Sequence, residues 1–171
     1  ARVDHAWPLR IGADDWQRIE KGIAQRALLA DLALRDFYGP QRLIAEAHIP
    51  PHLLLGHPQF LRPMVGVEPH GGVHVHLYSA DLARTPDGSW MVLSSRADAP
   101  SGIGYALENR IVISQTFPDL FRDMRVARLA SFFHAYREHV LQLAKTHGGR
   151  AVLLTPGPYN EAYFEHAYIA Y

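Results

Sequence analysis

Val73-His74-Val75-His76-Leu77-Tyr78, followed after a gap by Thr85-Pro86-Asp87-Gly88 and then Trp90-Met91-Val92-Leu93, is the stretch that decides the fold. Val73, Val75 and Leu77 alternate with His74, His76 and Tyr78, the pattern of a half-buried strand, and Asp87-Gly88 between two extended runs signals a hairpin tip. With those two residues as the whole loop, Pro86 faces Ser89, and counting outward pairs Asp81 with Ser94. Side chains alternate faces in a strand, so Asp81, Ser94 and Arg96 are expected on one face, provided that no bulge intervenes.

Outward from the hairpin the period is helical. Trp16, Ile19, Ile23, Ala27, Ala30, Leu34 and Phe37 recur at steps of three and four, which predicts a long amphipathic helix from Asp14 that Gly39-Pro40 ends. Ile49-Pro50-Pro51 argues against regular helix, and residues 50–72 are expected to be loop-rich. Beyond the hairpin, Ser101 is placed to cap a helix reaching about Thr116, stopped by Phe117-Pro118. A further helix is expected from about Val126 to Thr146. Ala151-Val152-Leu153-Leu154 suits a short buried strand, and a last helix starts near Asn160. The implied class is mixed α+β: an antiparallel hairpin sheet with flanking helices, ending in the first strand and helix of an α/β lobe.

Composition narrows the function. The chain has 171 residues, 48% of them apolar, enough for one sizeable core and too apolar for disorder. Net charge is zero, and of the 17 basic residues only Lys21 and Lys145 are lysines. No broad basic footprint for nucleic acid or an anionic membrane is present. Cysteine is absent, which excludes disulfides, thiolate zinc sites and thiol catalysis. No apolar run approaches the ~20 residues of a membrane helix, and the first residues lack a signal-peptide core. A cytoplasmic location is the default expectation. The chain begins without Met and ends in the amphipathic run Ala167-Tyr168-Ile169-Ala170-Tyr171, which points to a segment of a longer polypeptide. Its apolar end helix is expected to be exposed and to pair with a second copy.

Several residues could carry chemistry. His74 and His76 point the same way on a strand, yet two ligands without a third at fixed spacing read as polar-face histidines. Pro100-Ser101-Gly102 would aim backbone N–H groups and a positive helix end at a phosphate or carboxylate, although simple capping explains the same residues. Glu108-Asn109-Arg110 interrupts an apolar helix, which alone reads as a solvated face. Tyr159-Asn160 follows a strand-to-helix turn where α/β folds place ligand contacts, and Asn160 is equally satisfied as a cap. Walker A, His-Glu-x-x-His and Gly-x-Ser-x-Gly patterns do not occur.

Four segments taken together resemble a known family: Ala80-Asp81-Leu82-Ala83-Arg84-Thr85-Pro86-Asp87-Gly88, Ala99-Pro100-Ser101-Gly102-Ile103-Gly104-Tyr105-Ala106-Leu107-Glu108-Asn109-Arg110, Phe117-Pro118-Asp119-Leu120-Phe121, and Leu154-Thr155-Pro156-Gly157-Pro158-Tyr159-Asn160-Glu161-Ala162-Tyr163-Phe164-Glu165-His166-Ala167. In that order they look like the N-terminal portion of the circularly permuted ATP-grasp type 2 proteins. The resemblance implies 1–148 as the N-terminal part of an ATP-grasp-like domain and 149–171 as the start of a truncated α/β lobe, with the remainder of the polypeptide as partner. It implies ATP and magnesium as cofactors of the longer protein, and phosphorylation of a carboxylate followed by amine attack on the acyl phosphate. A catalytically degenerate binding or assembly module is the competing reading.

In glutathionylspermidine-synthetase-like relatives, an Asp on one strand and a Glu-x-Asn on the next hold the ions. The matching positions are Asp81, Ser94 and Arg96. Serine is a weak neutral ligand and arginine has no lone pair for a metal, so the usual cluster keeps only Asp81. Arg96 is therefore expected either to pair with Asp81 or to fork onto a phosphate or carboxylate near the Ser101 helix start. Arg96, Ser101, Gly102, Asn109, Arg110, Tyr159 and Asn160 are the candidate nucleotide- or substrate-binding residues.

Overall fold

The computed structural model describes residues 9–146 and 148–170. The chain divides into two compact units, one spanning Arg10–Pro100 and the other built from Ser101 onward.

In the first unit, α1 (Ala13–Phe37) is the expected long helix. Its stripe from Ile19 to Phe37 is covered, but Trp16 at the same period stays exposed, as do Leu28, Leu29 and Leu32 on the other side. The turn after α1 is set by Asp36, whose carboxylate accepts the N–H groups of Arg42 (2.9 Å) and Leu43 (3.0 Å). Those are orphan donors at the start of α2 (Arg42–Ala45), so the side chain does the work of a cap. Gly39 is required there: a Cβ would lie 2.5 Å from the Arg35 carbonyl oxygen. Prolines at 50 and 51 do not forbid helix after all. They begin one, α3 (Pro51–Leu55), because a proline at the first turn lacks only an N–H that would be orphaned anyway. Two 3₁₀ turns follow, at Arg62–Met64 and His70–Gly72.

The hairpin consists of β1 (Ser79–Arg84) and β2 (Trp90–Arg96), antiparallel neighbours in a two-stranded sheet. Val73–Tyr78, expected to be strand, is not part of it. The N–H groups of His74 and Val75 go instead to Asp31 Oδ1, at 2.7 and 3.0 Å, so a carboxylate of α1 takes the donors that a ladder would need. Arg35 reinforces the tie by donating to the Gly72 carbonyl at 2.8 Å.

The tip also differs from the two-residue loop. Thr85 N–H donates to Ser89 O and Gly88 N–H to Thr85 O, both at 2.9 Å, with Gly88 at φ 85°. This is a three-residue loop with a left-handed glycine. Leu82 consequently faces Val92, yet Asp81 faces Ser94, because Leu93 is an extra residue in β2. Two one-residue departures cancel, and the expected Asp81–Ser94 pair is recovered through a bulge that was expected to destroy it.

The second unit contains α4 (Ile103–Thr116), α5 (Pro118–Asp123), α6 (Ala130–Thr146) and α7 (Tyr163–Ala170). Helix α6 starts at Ala130 rather than near Val126. Residue Gly102 stands at the N-cap of α4, and Ser101 makes no capping bond. The expected strand at 151–154 is absent: the segment is irregular, with Val152 and Leu154 79% and 88% exposed. A strand needs a neighbour for its N–H and C=O groups, and no described residues supply one. Nor is there one sizeable core, since Ile19 is the one buried apolar side chain among the described residues. Helix α7 is not simply exposed either; it packs on α4. No described helix is long and apolar enough to cross a membrane.

Candidate functional site

On the hairpin, Asp81, Ser94 and Arg96 do share a face. The Ser94 hydroxyl donates to Asp81 Oδ2, and Arg96 Nη2 donates to the same oxygen at 3.0 Å. Half of each charged side chain remains open, 52% for Asp81 and 53% for Arg96. Ser95 points the other way, accepting from Tyr78 Oη at 2.7 Å and from Arg26 of α1 at 3.4 Å. The alternation that turns Ser95 toward Tyr78 and Arg26 is what turns Ser94 and Arg96 to the opposite face. At the tip, the Thr85 hydroxyl first and the Ser89 hydroxyl next hold the Asp87 carboxyl below its ordinary range.

The second unit places a different carboxylate where an anion was expected. Glu165, only 2% exposed, reaches from α7 to the start of α4. Its Oε1 and Oε2 accept the Gly102 N–H at 2.8 and 2.7 Å, and Oε1 also accepts the Gly104 N–H at 3.1 Å. The orphan amides and positive end of a helix stabilise an anion, and here the anion is the protein's own. Gly104 is needed for the approach: a Cβ would lie 3.0 Å from Glu165 Cγ and 3.3 Å from its Cα. The first turn of α4 is therefore filled, not open to a ligand phosphate, while α7 is docked.

Around this contact, Tyr105 Oη donates to the Glu161 carbonyl at 3.0 Å, and the Tyr105 and Phe164 rings lie 5.1 Å apart. Burial, with the Glu108 carboxylate beside it, pushes the Tyr168 phenol up. A shallow, open depression runs along α4, lined by Gly102, Tyr105, Ala106, Glu108, Asn109 and Val112. Gly102 and Asn109 both line it. Arg110 lies off it, half-buried, and Ser101 is exposed outside it. Tyr159 and Asn160 sit in the loop before α7. Tyr159 is fully exposed, and Asn160 Oδ1 accepts the Ala162 N–H at 2.9 Å, a local turn contact rather than a poised ligand group.

A family model described as circularly permuted ATP-grasp type 2 matches residues 8–171. The chain belongs to that family. Among the relatives of this ATP-grasp family chain, an uncharacterized protein of Synechocystis sp. is 38% identical over 165 residues, covering 95% of this chain and 34% of its own length. An uncharacterized protein of Mycobacterium tuberculosis is 36% identical over 165 residues, with 95% and 19% covered. Another from Mycobacterium leprae is 36% identical over 169 residues, with 95% and 29% covered. The chain thus spans about a third or less of the length of these relatives.

Magnesium, which an ATP-grasp protein would be expected to use, asks for a shell of oxygen donors around the ion. The hairpin offers one carboxylate, whose Oδ2 already accepts from Ser94 and from a guanidinium that repels a cation. These residues do not fit the ion. No described cluster of three or more His, Cys, Asp or Glu does so, and His74 stacks 6.4 Å from the Tyr38 ring instead of joining one.

Two residues escaped the sequence reading, Asp31 and Glu165. Glu165 carried a signal: it is a lone carboxylate within Ala162-Tyr163-Phe164-Glu165-His166-Ala167-Tyr168-Ile169. An acid on an apolar helix face must be paired when buried, and a glycine-flanked helix start is a natural partner.

Proposed function

We propose that this chain is a segment of an ATP-dependent carboxylate–amine ligase-like protein. In this reading the hairpin faces nucleotide, and Arg96 supplies there the positive charge that an ion supplies in the ligases it resembles. The observation that carries the reading is the convergence of Ser94 and Arg96 on one oxygen of Asp81. The three positions that would hold ions form one exposed polar cluster. Among the described residues the Arg96 guanidinium donates only through Nη2, and in this reading its remaining N–H groups serve phosphate or carboxylate oxygens.

ATP is the cofactor of the longer protein in this reading, and any magnesium is held by donors outside the hairpin. Acyl-phosphate formation and amine attack belong to the longer protein, with 1–148 contributing to the ATP-grasp-like domain and 149–171 beginning the next lobe. The remainder of the polypeptide is the partner, and the exposed Leu28, Leu29 and Leu32 of α1 suit cover by it.

The test is ATP affinity in the longer protein. Arg96→Ala is expected to weaken it about tenfold, the loss of a charge-assisted hydrogen bond. Ser94→Glu combined with Arg96→Asn is expected to make binding at this face depend on magnesium. Unchanged affinity in both variants removes the hairpin from the nucleotide surface. That outcome favours the second reading, a degenerate binding or assembly module, for which the self-sufficient Asp81–Arg96 ion pair at 3.0 Å speaks. The 171-residue chain alone is expected not to turn over ATP, and hydrolysis by it would overturn the assignment.

A further inference from the structure

We propose that α7 is a strap that docks on α4 and releases from it as a unit, with Glu165 as its latch. The contacts of α7 concentrate on the first turns of α4. Glu165 holds the N–H groups of Gly102 and Gly104, the Phe164 ring meets Tyr105, Tyr168 lies beside Glu108, and the Glu161 carbonyl just before the helix accepts from Tyr105. Everything in that set lies between Gly102 and Glu108.

The segment is built to move. The residues leading into it, 149–157, have no regular structure, and most are exposed, so nothing regular anchors its near end. What holds it is one buried carboxylate on three N–H···O contacts over the flat approach that Gly104 permits, with the Tyr105 and Tyr168 contacts beside it. A buried carboxylate without its donors is strongly unfavourable, so Glu165 either holds both amides or leaves for water. Intermediate positions are disfavoured, which makes the contact two-state rather than graded.

The start of α4 shares that equilibrium. Gly102 sits at φ 106° and Ala99, three residues before it, at φ 37°, both in the left-handed region. With Glu165 gone, the first amides of α4 have no acceptor, so the first turn of α4 loosens when the strap leaves. Docking of α7 and ordering of residues 102–106 are one event. The docked state keeps the helix end closed to other anions, and the released state uncovers it.

Amide hydrogen exchange on the longer protein, followed in residues 102–106, α6 and α7, tests this. Glu165→Ala is expected to speed exchange about tenfold or more in residues 102–106 and in α7 together, and to leave α6 unchanged. Glu165→Gln, which keeps an acceptor oxygen without the charge, falls between. Faster exchange in only one of the two segments overturns the coupling. Equal acceleration in α6 overturns the strap, because Glu165 would then be holding the whole unit. Should Glu165→Ala fail to fold, exchange of the unaltered chain in low urea decides. A shared opening of 102–106 and α7 below that of α6 supports the latch, and separate openings, or one merged with α6, overturn it.

Discussion

Asp81 and Glu165 are both carboxylates held by several donors, and they differ in what the donors are and in how much water reaches them. Asp81 is gripped by two side chains, Ser94 and Arg96, on an open hairpin face where half of its surface stays wet. Glu165 is gripped by backbone, at 2% exposure, between two helices that approach over a glycine. Backbone amides are fixed by the fold and cannot swing to another acceptor, whereas a guanidinium on a flexible stem can. The comparison separates a carboxylate that the structure depends on from one that is free to exchange partners. Charge alone would have ranked them the other way, since Asp81 faces a full cation and Glu165 only partial charges.

The largest expected effect falls on Glu165. Glu165→Ala leaves the Gly102 and Gly104 amides without their acceptor and is expected to lower the free energy of opening α7 from the start of α4 by about 2–4 kcal/mol, read by hydrogen exchange in those two segments. Gly104→Ala probes the same contact from the other side. Its Cβ would press on a Glu165 that three contacts hold in place, an overlap of about 1–3 kcal/mol, offset by about 1 kcal/mol of helix propensity. The net is a loss of about 1 kcal/mol. A stabilised Gly104→Ala would show that Glu165 yields easily and would erase the contrast with Asp81.

Asp31 lies between these extremes, 13% exposed and shared by backbone and side-chain donors. Burial pushes its carboxyl up, but the N–H groups of Val75 and His74 and the Arg35 guanidinium together outweigh that and hold it below its ordinary value. The sign follows from the lowered folded value. The stabilisation is complete above the unfolded pKa, about 3.9, and is lost as pH falls through the folded one. Asp31→Asn is therefore expected to lower stability by about 1 kcal/mol at neutral pH, with the gap to the unaltered chain closing on acidification. A gap that stays constant below pH 4, roughly the unfolded value, would mean that the charge of Asp31 contributes nothing and that the acceptor oxygen alone matters.

How much of this the residues announced depends on how local the forces are. Helix α1 was legible because its stripe repeats over many turns, and the Asp81–Ser94–Arg96 face was legible because alternation is a property of the strand itself. The route to that face was not: the longer loop at Gly88 and the extra Leu93 are compensating choices that no local pattern displays. Val73–Tyr78 alternates like a strand, yet its amides are captured by Asp31, more than forty positions earlier in the chain. Ala151–Leu154 has a strand's composition but no neighbour to pair with. The start of α4 suits a simple cap or an anion equally, and its own residues do not say which. The tertiary partner that fills it, Glu165, lies 63 positions from Gly102.

The smallest expected effect is the most discriminating. Arg96→Ala removes an exposed ion pair, and such pairs contribute about 0–1 kcal/mol because water already solvates both groups and ordering the long side chain offsets the attraction. The urea midpoint of the first unit should barely move, and added salt should not widen the difference. If Arg96 is there for a ligand, its removal has to appear in nucleotide affinity of the longer protein and not in stability. A stability loss matching that of Glu165→Ala would make Arg96 a structural partner of Asp81, place both carboxylates in one class, and leave the hairpin face with no cation to offer a phosphate.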